Sequence, residues 1–208
     1  QDAPEMRSLL KNIDFSSDNI EDEILEYLGF PLPRRMNSEL QLVLFPLGKS
    51  NVGSDDPMLE AVHDGLMGSS EVTNWNNVHF VLVTSQDTSL VGDSLRREVE
   101  NWGCRSVTSV MCENPFEVGA VQQTLLSFLD HIDPIDSSAI QSVHSCFAPG
   151  TKGINLGLAL SSIQFSFEAA ADFTLWSVVP GETVDGRRRS RLIRSDVGVS
   201  GWQSLIPE

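Results

Sequence analysis

Two short glycine-containing turns carry the residue types that bind phosphate groups. The candidate ligand-binding residues are Gly48, Lys49, Ser50 and Asn51 in the first turn, and Gly150, Thr151 and Lys152 in the second. Each turn combines a lysine and a hydroxyl group with backbone N–H groups that a glycine leaves accessible. At the amino end of a helix these groups favour an anion, above all a phosphate. An ordinary helix start, capped by Thr151, also accounts for the second turn.

The residues around these turns predict a series of strands. Short apolar or Val- and Thr-rich runs indicate strands at residues 40–46, 79–84, 106–112, 141–147 and 172–179. A turn is expected at residues 181–186, followed by an antiparallel edge strand at 187–197.

Helical patterns separate the predicted strands. One helix is expected to begin at Pro57, with acidic residues in its first turn, and another to begin at Pro115. The side chains expected to face the core are Met58, Val62 and Met67 in the first helix, and Leu95, Val99 and Trp102 in the second. Alternating strands and helices predict an α/β fold with right-handed crossovers, namely a Rossmann-like, doubly wound, mainly parallel sheet of about five to six strands.

The first 38 residues have a different pattern and are expected to form a short N-terminal helical appendage with a linker. Ile20, Ile24, Leu25 and Leu28 form one apolar stripe, and Gly29 ends the predicted helix. The predicted organisation is therefore an appendage at residues 1–38, a Rossmann-like domain at 39–180, and an edge strand with a tail at 181–208.

Ligands of such sheets bind outside the carboxyl ends of the strands, where the strand order reverses. The loops expected at that edge are residues 48–51, 84–88, 113–114 and 149–152. The second of these loops adds Thr84, Ser85 and Gln86 to the candidate ligand-binding residues. The first and fourth loops, which both carry lysine, glycine and hydroxyl groups, are expected to lie on one rim.

The charge distribution favours a small anionic ligand over a nucleic-acid duplex. The chain has 14 basic and 29 acidic residues, a net charge of −15, whereas duplex-binding proteins usually present a basic face. Five arginines are nevertheless concentrated in one stretch, at positions 187, 188, 189, 191 and 194. A solvated edge strand and a salt-bridged subunit contact are both compatible with that stretch.

Several common site motifs are absent. A Walker A loop would need a glycine at position 43, which is Val43, and no G-x-G-x-x-G fingerprint follows the first strand. The histidines are scattered, and the three cysteines have no metal-binding spacing, so no metal or cofactor is expected. Unpaired cysteines suggest a cytoplasmic protein. An effector or membrane segment outside these residues would make the chain the cytosolic part of a membrane-associated effector.

The two glycine turns, in this order of elements, resemble the CARF family, the CRISPR-associated Rossmann-fold domains. The resemblance covers roughly residues 39–180 and depends on Gly48-Lys49-Ser50 after the first strand and on the Gly-Thr-Lys turn at 150–152. A small polar residue is common in the family where this chain has Lys49. The resemblance implies a homodimer in which two sheet rims form one groove for a cyclic oligoadenylate of four or six nucleotides.

Three functions are compatible with these features. The leading hypothesis is a non-enzymatic sensor domain that binds cyclic oligoadenylate in type III CRISPR antiviral defence and controls an effector. A second is a metal-independent ring nuclease that cleaves the same ligand, with Ser50 and Lys152 as its catalytic residues. The third is an unrelated nucleotide-metabolising α/β enzyme, because open parallel sheets host many chemistries.

Overall fold

Six strands and four helices follow one another in the part of the chain that the computed structural model describes. That part comprises residues 40–49, 51, 56–131, 139–148, 150–169, 171–184 and 187–195, with backbone alone at 180–184 and 187–188. The strands are β1 (Leu40–Pro46), β2 (Val78–Ser85), β3 (Ser106–Cys112), β4 (Ile140–Phe147), β5 (Asp172–Val184) and β6 (Arg187–Ser195). The helices are α1 (Pro57–Gly68), α2 (Ser89–Asn101), α3 (Val118–Leu129) and α4 (Lys152–Ala169).

The strands form a single sheet with the order β3-β2-β1-β4-β5-β6. All pairs are parallel except β5 with β6, which is antiparallel. This is the predicted Rossmann-like α/β fold, and the antiparallel edge strand is also confirmed. The chain moves outward from β1 to β3 and then returns to β4, so the strand order reverses between β1 and β4.

The central strand β1 is apolar on both faces because helices cover both sides of the sheet. Leu42 and Leu44 lie in the core layer shared with α3 and α4, while Val43 and Phe45 lie in the layer shared with α1 and α2. All four side chains are fully buried. A continuous apolar run is the expected sequence of such a strand, since alternate residues point to opposite faces.

The first two helices differ from prediction only in detail. Asp56 caps α1, Pro57 occupies its first turn, and Leu59, Val62 and Leu66 form its buried stripe. Met67, predicted to face the core, is 41% exposed because the stripe already ends at Leu66. Gly103 follows α2 with a φ of +81°, a left-handed conformation that glycine adopts without strain.

Two predicted boundaries are wrong. The third helix begins at Val118 rather than Pro115, because the residues before it form a turn in which the Glu117 N–H donates to the Asn114 carbonyl. The predicted turn at 181–186 is shorter than expected, since β5 continues to Val184 and pairs with β6 as a long hairpin. Pairing with β6 supplies backbone partners that keep this polar segment extended.

Helices α3 and α4 approach closely because small residues line their contact. A Cβ atom on Gly157 would lie 2.6 Å from Val121 Cγ1 and 3.0 Å from the Val118 carbonyl oxygen. One turn later the Ser161 hydroxyl, fully buried, donates to the Gly157 carbonyl at 2.7 Å. The position of the amino end of α4 is therefore set by α3 and by the turn that precedes it.

The predicted N-terminal helix and linker at residues 1–38 lie outside the described residues, and so does the tail at 196–208. All described residues belong to the compact unit Asn37–Glu208. Among them no helix combines the length and the apolar composition that crossing a membrane requires.

Candidate functional site

The loops that follow β1 and β4 emerge side by side at the carboxyl edge of the sheet. Parallel pairing aligns Leu44 of β1 with Ser145 of β4, so both strands reach this edge next to each other. Residues 47–51 (the β1 loop) and 148–152 (the β4 loop), which include the loops predicted at 48–51 and 149–152, thus flank the reversal of strand order. This is where ligands of open α/β sheets bind.

The β1 loop is held closed by its own asparagine. Asn51 Oδ1 accepts a hydrogen bond from the Gly48 N–H at 2.8 Å, and the Asn51 N–H donates to the Gly48 carbonyl at 3.1 Å. Asn51 Nδ2 donates to Asp56 Oδ2 at 3.2 Å, and Asn51 is only 5% exposed. Asn51 was predicted to contact the ligand, but its side chain faces into the loop.

Asp56 connects the β1 loop to α1. Its other carboxylate oxygen accepts from the backbone N–H groups of Met58 and Leu59 at 2.9 and 3.1 Å, and the residue is fully buried. These bonds satisfy two of the free N–H groups that every helix leaves at its amino end. Side-chain oxygens of the β1 loop and the helix cap therefore accept from the Gly48 N–H and from the first N–H groups of α1.

Lys49 is the exposed cation of the β1 loop. Its Nζ lies 2.9 Å from Asp87 Oδ2, and the two side chains are 81% and 65% exposed. An ion pair this exposed contributes little to stability, about 0–1 kcal/mol. The pair nevertheless brings a carboxylate from the loop after β2 to the rim. The neighbouring candidate, Ser50, lies outside the described residues.

The candidates at the end of β2 mostly serve the fold. Thr84, 3% exposed, donates from Oγ1 to the Val110 carbonyl at 3.3 Å. The Ser85 N–H donates to Thr88 Oγ1 at 2.9 Å, within a capping arrangement around the 3-10 turn Gln86–Thr88. Of the three predicted ligand contacts in this loop, Gln86 is the one whose side chain is exposed, and Thr84 and Ser85 face inward.

The β4 loop is held by an asparagine that binds carbonyl groups. Asn155 Nδ2 donates to the carbonyls of Ala148 and Gly150 at 3.0 and 3.1 Å, and Asn155 Oδ1 accepts from the Ala148 N–H at 3.4 Å. Gly150 lies against β1, since a Cβ atom there would be 3.2 Å from Pro46 Cβ. The carbonyl groups of the loop are thus occupied from the helix side.

Thr151 caps α4 and joins it to the loop after β3. Its hydroxyl donates to the Pro115 carbonyl and accepts from the Ile154 N–H at 3.2 Å. The cap predicted from the sequence is confirmed. The next residue, Lys152, is exposed and forms no ion pair within the described residues. The first N–H groups of α4 and the Lys152 ammonium group together favour an anion at this end of the helix.

Histidines and cysteines contribute no reactive group to this rim. Burial, together with the nearby Arg194, lowers the pKa of His144 to about 4, and His144 Nδ1 accepts from the Trp176 indole at 3.3 Å. Burial and Arg105 lower the pKa of His79 to about 4. Burial raises the pKa of Cys104 to about 12 and that of Cys112 to about 11, and it also raises the pKa of Cys146. These thiols are therefore protonated at neutral pH.

The arginine-rich stretch lies on the edge strand β6. Its last member, Arg194, is bound to the segment that follows α1: Nη1 lies 2.7 Å from Glu71 Oε1 in an ion pair that is partly exposed. A cleft of about 1050 Å³ runs beside α1 and β6, and both acidic and basic residues line it. Acidic residues disfavour a polyanion in this cleft, whereas the exposed side chains of Lys49 and Lys152 carry positive charge at the loop rim.

Sequence reasoning missed three residues at this edge. Asn155 holds the β4 loop, Asp87 pairs with Lys49, and the exposed Phe116 adjoins the first turn of α4. The positions of Asp87 and Phe116 depend on residues that are distant in sequence, so no local motif marks them, whereas Asn155 bonds to carbonyls five and seven residues before it. In the described residues no group of three or more metal-binding side chains is assembled.

No protein-family model matches the chain, and no curated protein is detectably similar to it. We therefore infer function from the fold and from the geometry of the rim.

Proposed function

We propose that the β1 and β4 loops bind a cyclic oligoadenylate and that the chain is the sensor domain of a cyclic-oligoadenylate-controlled effector. The observation that carries the proposal is the position of the β4 loop, with its capped helix start and exposed Lys152, at the reversal of strand order. Backbone N–H groups at a helix start and a lysine ammonium bind phosphate oxygens. Lys49, across the rim, adds a second cation.

The proposed ligand would require two copies of each loop. A ring of four or six identical nucleotides has two-fold symmetry, and a symmetric dimer presents each loop twice. Two β4 loops would hold opposite phosphates of the ring, while two β1 loops would contact the remaining sugar–phosphate oxygens. We therefore propose a homodimer that binds one ring.

The experiment that tests the proposal is calorimetric titration with cyclic tetra-adenylate and cyclic hexa-adenylate. We expect one ring per two chains, and a higher melting temperature when the ring is in excess over its Kd. Lys152→Ala should weaken binding at least tenfold, because a hydrogen bond to a charged group contributes about 1.5–3 kcal/mol. The unliganded variant should melt like the wild type, since Lys152 is exposed. A monomer without affinity for either ring contradicts the proposal.

The pair Lys49–Asp87 favours a second candidate function, the ring nuclease. In that reaction a ribose 2′-oxygen attacks the adjacent phosphorus and the 5′-oxygen leaves and takes a proton from water, which produces a linear strand with a 5′-hydroxyl and a 2′,3′-cyclic phosphate. Asp87 would accept the 2′-proton and Lys152 would stabilise the charge on the phosphoryl oxygens. The sequence placed Ser50 in this reaction, whereas Asp87 is a described carboxylate that contacts a lysine of the rim.

The two candidates separate in a cleavage assay with radiolabelled cyclic tetra-adenylate in EDTA. The sensor hypothesis predicts that the ring stays intact for many times the half-life of the complex. Linear products that disappear with Asp87→Asn, while calorimetric affinity persists, would assign the nuclease function. A matched control is Asp93→Asn, an acidic residue on α2 outside the rim loops.

A further inference from the structure

Phe116 is an exposed aromatic side chain on the turn between β3 and α3. The residue is 82% exposed, although phenylalanine is usually buried in folded proteins. Single exposed apolar residues are common, and exposure alone carries no function. What distinguishes Phe116 is where the fold holds its backbone.

Two contacts attach this turn to the first turn of α4. The Thr151 hydroxyl donates to the Pro115 carbonyl, which immediately precedes Phe116. Gly153 packs directly on the same peptide, since a Cβ atom there would lie 2.6 Å from both the Phe116 carbonyl carbon and the Pro115 carbonyl oxygen. Lys152 lies between these two contact residues in the sequence. An exposed ring and an exposed ammonium group are thus held on adjoining turns of the rim.

This pair matches the two chemical parts of a nucleotide. A phosphate binds a cation and a helix amino end, while a base stacks on an aromatic ring through its flat face. The turn carrying Phe116 is short and backbone-bonded, so its position does not depend on a ligand. Leu156, half exposed one helical turn after Lys152, extends the apolar surface along α4.

We propose that Phe116 is a base-stacking residue that binds the adenine of the nucleotide whose phosphate is bound at residues 150–152. This inference rests on the proposed function, because it assigns the base contact of the same site. Stacking on Phe116 would make the rim bind a nucleotide more tightly than a sugar phosphate that has no base. The chemical class of ligand is therefore a nucleotide, not a phosphorylated sugar.

The test compares two small probes that differ only in the base, adenosine 5′-monophosphate and ribose 5-phosphate, by NMR titration. Phe116→Ala should raise the Kd for adenosine monophosphate about 5- to 100-fold, the effect of removing a stacking aromatic ring. The Kd for ribose 5-phosphate should change less than twofold. Phe116→Tyr should keep adenosine monophosphate affinity within about threefold of the wild type, and Lys152→Ala should weaken both probes.

Phe167→Ala is the matched control. Phe167 lies near the other end of α4 and is 88% exposed, so its removal is an equal loss of exposed aromatic surface away from the rim. It should alter neither Kd. The inference is overturned if Phe116→Ala leaves adenosine monophosphate affinity unchanged, if it weakens both probes alike, or if the wild type does not bind adenosine monophosphate.

Sedimentation of the same variants tests whether a second copy of the chain covers Phe116 instead. A change from dimer to monomer with Phe116→Ala, without loss of adenosine monophosphate affinity, would make Phe116 a subunit contact and overturn the stacking role. The proposed function fails separately, through lack of affinity for cyclic oligoadenylates. If the wild type binds those rings and the Phe116→Ala variant binds them equally well, the stacking role alone is overturned.

Discussion

The β1 and β4 loops follow neighbouring strands and each contains a glycine, a lysine and a nearby asparagine, yet the two asparagines bond to different backbone groups. In the β1 loop Asn51 uses its oxygen to accept from the Gly48 N–H, and Asp56 accepts from the first N–H groups of α1. In the β4 loop Asn155 uses its amide group to donate to two carbonyls. The β1 arrangement uses backbone donors, whereas the β4 arrangement uses two backbone acceptors in addition to the Ala148 and Ile154 N–H groups.

This difference predicts which loop carries the larger share of anion binding. An anion needs donors, and at the start of α4 the described side chains occupy the Ile154 N–H, which leaves the N–H groups of Lys152 and Gly153 without a side-chain cap beside an exposed ammonium group. The β1 loop offers mainly the Lys49 ammonium, which already has Asp87 as a partner. We expect the β4 loop to dominate affinity and the β1 loop to dominate the stability of its own helix start.

The largest loss of folding stability is expected at Gly153, where the first turn of α4 packs on the turn that contains Pro115 and Phe116. Gly153→Ala places a methyl group against the backbone of Pro115 and Phe116, which cannot rotate away as a side chain could. Overpacking of this kind costs about 1–3 kcal/mol. Urea denaturation followed by circular dichroism measures the loss. Binding should weaken as well, since the amino end of α4 must shift.

Gly119→Ala is the control for that substitution. Gly119 is also helical, but a Cβ atom there meets nothing within 4 Å. The free energy of unfolding should stay the same or rise by up to about 1 kcal/mol, because alanine favours a helix more than glycine does. Equal destabilisation by both substitutions would show that packing at Gly153 is not the cause.

The next effect separates the two asparagine-centred networks. Asp56→Ala should lower the free energy of unfolding by about 2 kcal/mol, because it removes a helix cap and leaves the buried Asn51 amide without this acceptor. Asn155→Ala should cost about 1 kcal/mol, since its bonds are only partly buried.

Affinity for cyclic tetra-adenylate should show the opposite order for the same two variants. Asn155→Ala should weaken binding roughly tenfold by releasing the carbonyls it holds, whereas Asp56→Ala should change the Kd less than threefold once the protein is folded. Calorimetry at a temperature well below both melting transitions gives the comparison. A larger binding loss for Asp56→Ala would reverse the ranking of the loops.

The smallest effect concerns the two cations. Lys49→Ala should raise the Kd by about two- to fivefold, which is less than the effect of Lys152→Ala. The reason is that Lys49 must leave Asp87 before it contacts a phosphate. Asp87→Asn should strengthen binding slightly for the same reason. Both effects should shrink at high salt, since these side chains are exposed. Equal losses for the two lysines would place them in equivalent contacts.

Local sequence determined the elements of this protein. Strand β1 is apolar on both faces, and Asp56-Pro57 begins a helix; such patterns depend on neighbouring residues alone, so β1 and β3 have the predicted bounds and the alternating order yields the α/β fold. Thr151 was also recognisable as a cap, because its hydroxyl bonds to a backbone group three residues away.

Tertiary structure decided which polar residues of the rim face a ligand. Thr84, Ser85 and Asn51 are residue types that often contact ligands, yet in the folded chain they are buried and hydrogen-bonded to other protein groups. Phe116 reaches the rim through the Thr151–Pro115 bond, which joins residues 36 positions apart. Periodicity reports the preference of a segment for helix or strand, but a side chain's exposure depends on partners that only the folded chain brings together.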